Sequence, residues 1–439
     1  MNVILHETES LCPVCLRRIP ARYERRDGRA YFTKACPEHG GFSTLFWRDA
    51  DMYESWLRQG VHAPAKDRGR PPDEAGCPFS CGLCDAHRSG TCTAVIELTY
   101  RCDLDCRVCF ADANSRRFEP GPAQLERMYA AALASNRFCS IQLSGGEPTM
   151  REDLPDIIRL GKRMGAVHLQ LNTNGLRLAA EPGYAAQLKA AGLDLVYLQF
   201  DGLDDAVYRR LRGRDLLELK LKAIARCEAA GLGVLLVPVV VPGVNLDSLG
   251  EIVRFGKAHI PFVKGVHFQP MSCFGRFPGG APADEERCGL CDVIHALCEQ
   301  CPGELRLEHF VPRKQFDPHC DFSSTYFLDA GGRLAALSER SQNDGDTERT
   351  DFVEKTNKYT QKRWRYQPGG QADTALGRFA LRTLTHSFCI SGMGFQDVWN
   401  LDLGRLRGCC VHVVTADCRL VPFCAFHLTD ERGGRLYEN

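Results

Sequence analysis

The sequence predicts an α/β protein: a partial (β/α)6 barrel with a small metal-ribbon module before it and a cysteine-rich domain after it. Three observations carry that expectation. Strand-like and helical segments alternate across residues 93–270, as in a parallel sheet with helices outside it. Two cysteine/histidine knuckles fall within residues 1–60. The 23 cysteines of the 439-residue chain cluster at metal-ligand spacings.

Residues 1–60 read as the ribbon. Cys12-Pro-Val-Cys15 and Cys36-Pro-Glu-His39 flank the strand-like run Arg29–Thr33, so a metal replaces the core that so few residues cannot build. Three thiolates and one imidazole suit a mononuclear zinc or iron ion, and that donor set alone favours zinc. Residues 61–92 hold a polar linker, His62–Glu74, and then Cys77-x3-Cys81-x2-Cys84-x7-Cys92. Four thiolates at that spacing close an auxiliary [4Fe–4S] cluster, with zinc as the alternative.

Residues 93–270 supply the barrel. The strand candidates are 94–98, 140–143, 167–171, 195–200, 233–241 and 265–269, with helical stretches such as 153–164 and 215–230 between them. Six such units place function at the C-terminal ends of the strands. Residues 271–439 are less regular, with strand-turn-strand patterns at Tyr326–Leu337 and His412–Phe423 and a polar loop at Ser338–Glu348.

The first barrel strand runs directly into Cys102-x3-Cys106-x2-Cys109. A [4Fe–4S] cube takes four cysteines, so three leave one iron open to bind a small molecule. On the following strand ends come Ser144-Gly-Gly-Glu-Pro148, Asn172-Thr-Asn-Gly175, Gln199-Phe-Asp-Gly202 and Pro242-Gly-Val-Asn245. Glycines there permit close backbone approach, and the polar side chains face the same rim. One such motif alone is usually a turn; five in order on successive strand ends make a site.

The remaining cysteines divide three ways. Cys320, Cys409, Cys410 and Cys424 flank the strand-turn-strand units and are candidates for a second auxiliary [4Fe–4S] cluster. Cys288-x2-Cys291 and Cys298-x2-Cys301 read either as a four-ligand pair or as apolar filling of a helix, and Cys139 and Cys227 as buried small hydrophobes. His267 reads as a core histidine or a substrate contact. The basic-aromatic run Tyr359–Tyr366 reads as a solvated helix face or a membrane-surface contact.

Composition narrows the function classes. Lys plus Arg is 55 and Asp plus Glu is 55, which argues against a nucleic-acid binder that works by phosphate neutralisation. No apolar run approaches the ~20 residues of a membrane span, and the first residues lack a signal-peptide layout. A cytoplasmic protein is expected, where metal ligation explains clustered cysteines better than disulfides do.

The three-cysteine loop with Gly-Gly-Glu-Pro resembles the radical S-adenosylmethionine (radical SAM) enzymes. The resemblance implies that the open iron chelates SAM, and that an electron cleaves it to methionine and a 5′-deoxyadenosyl radical. It implies SAM contacts at Phe110, Ser144, Gly145, Gly146, Glu147, Pro148, Asn172, Asn174, Gln199 and Asp201, and an electron donor such as ferredoxin or flavodoxin. Leu11–Cys15 with Lys34–Gly40, Gly76–Cys84, and Cys410–Val414 with Pro422–Phe426 are similar to the tetraether lipid synthase-like branch. That branch joins lipid alkyl termini using two auxiliary clusters and a rubredoxin-like iron, which moves the ribbon metal toward iron. Two departures stand out. Pro312–Cys320 lacks a second cysteine expected just upstream, and Cys418 occupies a turn where glycine is usual.

The leading expectation is therefore hydrogen abstraction from an unactivated carbon for C–C bond formation between lipid chains, with possible contact at a membrane surface. One alternative is radical C-methylation of a dihydropterin-like heterocycle. The other is a non-catalytic iron–sulfur electron-transfer scaffold, which has no need of an open iron. A long apolar tunnel would favour lipid, and a compact cavity with convergent polar groups would favour the heterocycle.

Overall fold

The computed structural model describes residues 2–59, 68–277, 279–314, 316–337 and 349–437. The predicted polar loop at 338–348 and the start of the 62–74 linker lie outside the described residues. At the N-terminus, β1 (Val3–Leu11), β2 (Arg18–Arg26), β3 (Arg29–Cys36) and β4 (Gly40–Trp47) form an antiparallel sheet in that order. The helix Ala50–Leu57, capped by Asp49 accepting from the Met52 N–H, buries Tyr53 and Trp56 against it.

The six expected barrel strands are all present: β5 (Thr93–Thr99), β6 (Ser140–Gly145), β7 (His168–Thr173), β8 (Leu195–Gln199), β9 (Gly233–Val237) with its short continuation β10 (Val239–Val240), and β11 (Val263–Pro270). Neighbours pair in parallel from β5 through β9 to β11. Alternation along them sorts the side chains into two sets. Ile141, Leu143, Leu169, Leu171, Val196, Leu198, Val266 and Phe268 join the core under the outer helices. Ser140, Gln142, Ser144, Gln170, Asn172, Tyr197, Gln199, His267 and Gln269 turn inward and line the lumen. The outer layer fits the same logic. The helix Leu154–Arg163 buries Leu154, Ile157, Ile158 and Gly161, and a Cβ on Gly161 would lie 2.8 Å from the ring of Tyr129.

The C-terminal region does not form a separate sheet. Of β12 (Asp321–Leu328), β13 (Leu334–Ala336), β14 (Ser387–Met393), β15 (Val411–Val414) and β16 (Leu420–Pro422), β14 adds in parallel to β11 and β15 adds in parallel to β5. The expected hairpins β12/β13 and β15/β16 then extend the two edges. Eight parallel strands thus run β15-β5-β6-β7-β8-β9-β11-β14.

The helix Arg349–Trp364 covers the barrel floor. Asn357 donates to the Cys92 carbonyl at 3.2 Å and Gln361 to Ser140 Oγ at 3.1 Å. Its aromatic end is packed: Trp364 is buried and meets Tyr197 edge-on, and Tyr366 stacks on Phe262 at 4.6 Å. The basic-aromatic run is therefore two-sided: Gln361 and Trp364 pack on the floor, while Tyr359, Lys362 and Arg365 are exposed, as the expected solvated helix face. No described helix is long and apolar enough to cross a membrane.

The ribbon is docked on the C-terminal region. Trp56 Nε1 donates to the Pro318 carbonyl at 2.8 Å, Tyr53 OH lies 3.0 Å from His319 Nε2, and Tyr23 OH donates to Asp402 at 3.0 Å. Buried Lys34 donates to Ser10 Oγ and to the Leu11 and Val398 carbonyls.

Candidate active site

The β5 strand ends at Thr99, and the loop that follows brings Cys102, Cys106 and Cys109 to the mouth of the lumen, where all three line one cavity of about 250 Å³. The loop is held from both sides. Asn114 accepts from the Cys102 N–H at 2.9 Å and donates back to the Cys102 carbonyl at 3.1 Å. Arg276 pairs backbone to backbone with Cys109, and its guanidinium donates to the Cys106 carbonyl at 2.9 Å and the Ala113 carbonyl at 3.2 Å. Gly275 at φ +66° makes this possible, because a Cβ there would meet the Cys109 and Phe110 carbonyls at 2.4 Å. Burial pushes the Cys102 thiol up to about 12 and raises Cys109; ligation to iron takes those protons instead.

The Gly-Gly-Glu segment crosses the backbone that leads into the cysteine loop too closely for a side chain, and the Gly146 and Glu147 N–H groups donate to the Thr99 and Arg101 carbonyls at 2.7 and 2.8 Å. A Cβ on Gly145 would lie 2.3 Å from the Thr99 carbonyl, and one on Gly146 2.4 Å from the Arg101 carbonyl. Glu147 is buried. Its Oε1 accepts from the Thr149 N–H, Thr149 Oγ1 and Thr173 Oγ1, and its Oε2 accepts from the Asn174 N–H at 2.7 Å. With about four acceptor sites per carboxylate, nearly all of Glu147 is spent on joining the β6 and β7 ends. Burial raises its pKa against those donors.

Phe110, Ser144, Gly145, Gly146, Glu147, Asn172, Asn174 and Gln199 all line the cavity. Pro148, Asp201 and Asn245 do not line it. Asp201 is buried in a two-bond ion pair with Arg212, at 2.7 and 2.8 Å. Asn245 donates to the Asp201 and Val239 carbonyls and accepts from the Val241 N–H. These two residues lock the β8 and β9 ends, and Arg212, which lines the cavity, is bonded to Cys106 on its other side. Lys220, also buried, donates to the Asn174 carbonyl and Gln199.

Below the cysteines the cavity wall is rich in amides. Gln142 donates to Gln170 Oε1 at 3.0 Å, leaving Gln170 Nε2 without a partner, and Asn172 Oδ1 is likewise buried and unpartnered. His267 Nδ1 shares a hydrogen bond of 2.9 Å with Ser391, and burial, helped by Arg313, lowers the imidazole to about 3, so it is neutral.

The ribbon ligands meet as expected. Cys12, Cys15, Cys36 and His39 place their donor atoms within 4.8 Å of one another. His39 Nδ1 is 3.6 Å from Cys12 Sγ and 3.5 Å from Cys36 Sγ, and the Cys15 and Cys36 sulfurs are 3.9 Å apart. Metal–sulfur bonds of about 2.3 Å and metal–nitrogen bonds of about 2.0–2.1 Å give tetrahedral edges of roughly 3.6–3.8 Å, so the shell is the size of one ion.

The other cysteine groups regroup. Cys77 and Cys81 are hydrogen-bonded, with Cys84 beside them, and all three line one small cavity. Cys92 is not in that cavity; it is buried at the head of β5, where its carbonyl accepts from Asn357 of the floor helix at 3.2 Å. The chain turns away at His87, which bonds the Cys409 carbonyl and His412. Cys320, Cys409 and Cys424 lie within electrostatic reach of one another, around buried Arg405. Arg405 donates to Cys320 Sγ at 3.4 Å while its Nε and Nη1 have no partner, which suits a cluster carrying net negative charge. Cys410 is buried, and its carbonyl accepts from the Cys92 and Thr93 N–H groups.

Cys291 and Cys298 sit in the first and last turns of the helix Leu290–Gln300, about 10 Å apart at 1.5 Å per residue. The two pairs therefore do not form one four-thiolate shell. Cys139 and Cys227 are fully buried, as expected of small hydrophobes.

The sequence profile of the radical SAM superfamily matches residues 96–256. The 7,8-dihydro-6-hydroxymethylpterin dimethyltransferase of Methanocaldococcus jannaschii is 33% identical over 96% of this chain and 93% of its own length. The chain belongs to the radical SAM superfamily. It is accordingly an enzyme that uses a [4Fe–4S] cluster and SAM, and the scaffold alternative falls away. The bound cluster supplies the electron that cleaves SAM, and Cys102, Cys106 and Cys109, with Gly145 and Gly146 lining the same cavity, fit that pair.

Residues 4–48 match the profile of an HMPTM N-terminal zinc ribbon domain. A GTP 3′,8-cyclase of Erythrobacter litoralis is 34% identical over 37% of this chain and 51% of its own. Among solved structures, SuiB of Streptococcus suis is 19% identical with a TM-score of 0.39 and covers 50% of this chain and 49% of its own. Methylornithine synthase is 16% identical, also with a TM-score of 0.39, over 49% of this chain and 63% of its own. The near-full-length relative is named for a pterin methylation and not for the lipid coupling that the sequence led us to expect.

Sequence reasoning missed Asn114, Arg276, Arg212 and three of the four lumen glutamines, Gln142, Gln170 and Gln269, having singled out only Gln199. The glutamines carried a signal: Gln142, Gln170, Gln199 and Gln269 sit at inward positions of otherwise apolar strands.

Proposed function

We propose that this radical SAM enzyme methylates carbon on a dihydropterin-like heterocycle. The near-full-length identity to the pterin dimethyltransferase supports that class of substrate. The observation that carries the reading is the compact lumen with convergent amides, where Gln170 Nε2 is buried without a partner. Buried polar atoms cost free energy unless a ligand pairs them, and a pterin ring edge presents alternating donors and acceptors. An alkyl chain offers nothing to pair with them.

In this reading Cys102, Cys106 and Cys109 hold the cluster, and Gly145 and Gly146 let SAM approach the backbone. Asn172, Asn174 and Gln199 orient it, and neutral His267 with Gln142, Gln170 and Gln269 orients the substrate. Cys77, Cys81 and Cys84 hold an auxiliary [4Fe–4S] cluster. Cys320, Cys409 and Cys424 hold a second. The ribbon ion is zinc, and a ferredoxin or flavodoxin supplies electrons.

The test is SAM cleavage by the anaerobically reconstituted enzyme with dithionite. Formation of 5′-deoxyadenosine stimulated by 7,8-dihydro-6-hydroxymethylpterin and not by ether lipid supports the reading; stimulation by lipid alone, or no cleavage, overturns it.

A further inference from the structure

Beneath the lumen lies a second cavity of about 140 Å³, walled by β11, β12, β14 and the floor helix. Its charged lining is entirely cationic: Lys264, Arg313 and Arg363, with no carboxylate among the described lining residues. Hydroxyls of Ser323, Thr360 and Ser387 complete the wall.

The cations are poorly matched. Lys264 is 1% exposed, and among the described residues its ammonium donates only to the Thr385 carbonyl, at 3.3 Å. Arg363 Nε is buried without a partner, and the guanidinium rests on the Tyr359 ring at 3.5 Å. Among the described residues only Arg313 of the three has a counter-ion, Asp321, which is not in the cavity lining. Burying a charge is expensive unless it is paired. Burial and then Arg363 lower Lys264 to about 8, and burial lowers Arg363, so both cations lack what would hold their charge in place.

We propose that this cavity binds a phosphoryl group. Such an anion presents several strong acceptor oxygens, which suit an ammonium, guanidinium groups and hydroxyls converging on one small volume. Arg313, Thr360 and Trp364 line both this cavity and the lumen, so one layer of side chains separates the phosphoryl site from the substrate site. The group is either free phosphate or the tail of a phosphorylated substrate, and the second source rests on the pterin reading while the first does not.

The probe is inorganic phosphate, measured by calorimetry on the reconstituted holoenzyme with sulfate-free, chloride-matched buffer. Wild type is expected to bind it saturably. Lys264→Met, which keeps the stem volume, and Arg363→Gln, at a half-buried position, are each expected to weaken binding tenfold or more. A phosphorylated dihydropterin competing with phosphate, and binding at least tenfold tighter than the unphosphorylated pterin, assigns the site to a substrate tail. Phosphate binding without that gain assigns it to the free anion. Absence of saturable phosphate binding, or equal binding by wild type and Arg363→Gln, overturns the proposal whether or not the pterin is a substrate.

Discussion

Arg276 and Cys109 form an isolated antiparallel bridge, each donating its N–H to the other's carbonyl at 2.9 Å. The bridge ties the segment after the last barrel strand to the loop after the first, and so closes the mouth around the three cysteines. The Arg276 side chain adds bonds to the Cys106 and Ala113 carbonyls and an ion pair with Asp105 at 2.8 Å.

Arg276→Ala therefore loosens the cluster loop without touching a ligand. Hydrogen bonds to a charged group contribute about 1.5–3 kcal/mol each, so the variant should lose iron from the SAM cluster at least tenfold faster on chelator challenge. Iron release followed by visible absorbance checks this; release at the wild-type rate would show that the backbone bridge suffices.

The fold was legible in the sequence to an unusual depth. All six barrel strands lie within a few residues of their expected places because inward and outward residues alternate cleanly, as in His168–Thr173. What could not be read were the contacts that join distant segments. No local pattern says that β14 and β15 complete the sheet, or that Arg276 reaches back to Cys109. Cys92 shows the same limit. Spacing placed it with Cys77, Cys81 and Cys84, but only those three line one small cavity, while Cys92 is buried at the start of β5. Asp201 looked like a ligand because strand-end acids often are; its partner, Arg212, lies a helix away.

The ribbon ion should matter to the whole chain. Cys36→Ser breaks the four-donor shell, and with it the platform that presents Tyr23, Tyr53 and Trp56 to the C-terminal region. Since structural metal binding is folding free energy, metal analysis should show loss of one zinc per chain and a lower thermal midpoint. An unchanged midpoint after zinc loss would mean that the docked aromatics hold the sheet alone.

His267 predicts a slope of stability with pH. Its folded pKa of about 3 lies below the ordinary 6.5, so the unfolded chain takes up the proton first as pH falls. The contribution is fully present above about 6.5 and is lost progressively toward 3, on the order of 5 kcal/mol in all. Denaturant unfolding between pH 6.5 and 5 should show a shallower loss in His267→Asn than in wild type. Equal slopes would place the proton uptake elsewhere.

Gln170→Leu removes the unpartnered lumen amide and leaves Gln142 without its acceptor, costing about 1–3 kcal/mol of stability. The larger effect should fall on coupling. The ratio of 5′-deoxyadenosine to methylated product should rise at least tenfold, because the substrate is no longer oriented. A ratio equal to wild type would remove Gln170 from the substrate site.

The central claim is that the three-cysteine cluster at the barrel mouth serves a heterocycle held in the polar lumen. The most direct measurement is mass spectrometry of the pterin after anaerobic turnover with SAM, reductant and a separate one-carbon donor, because the SAM cleaved to 5′-deoxyadenosine keeps its methyl group on methionine. The account predicts a carbon-methylated dihydropterin, formed together with 5′-deoxyadenosine and absent when Cys106 is replaced by alanine. An unaltered pterin in a reaction that still cleaves SAM and couples alkyl chains would contradict it.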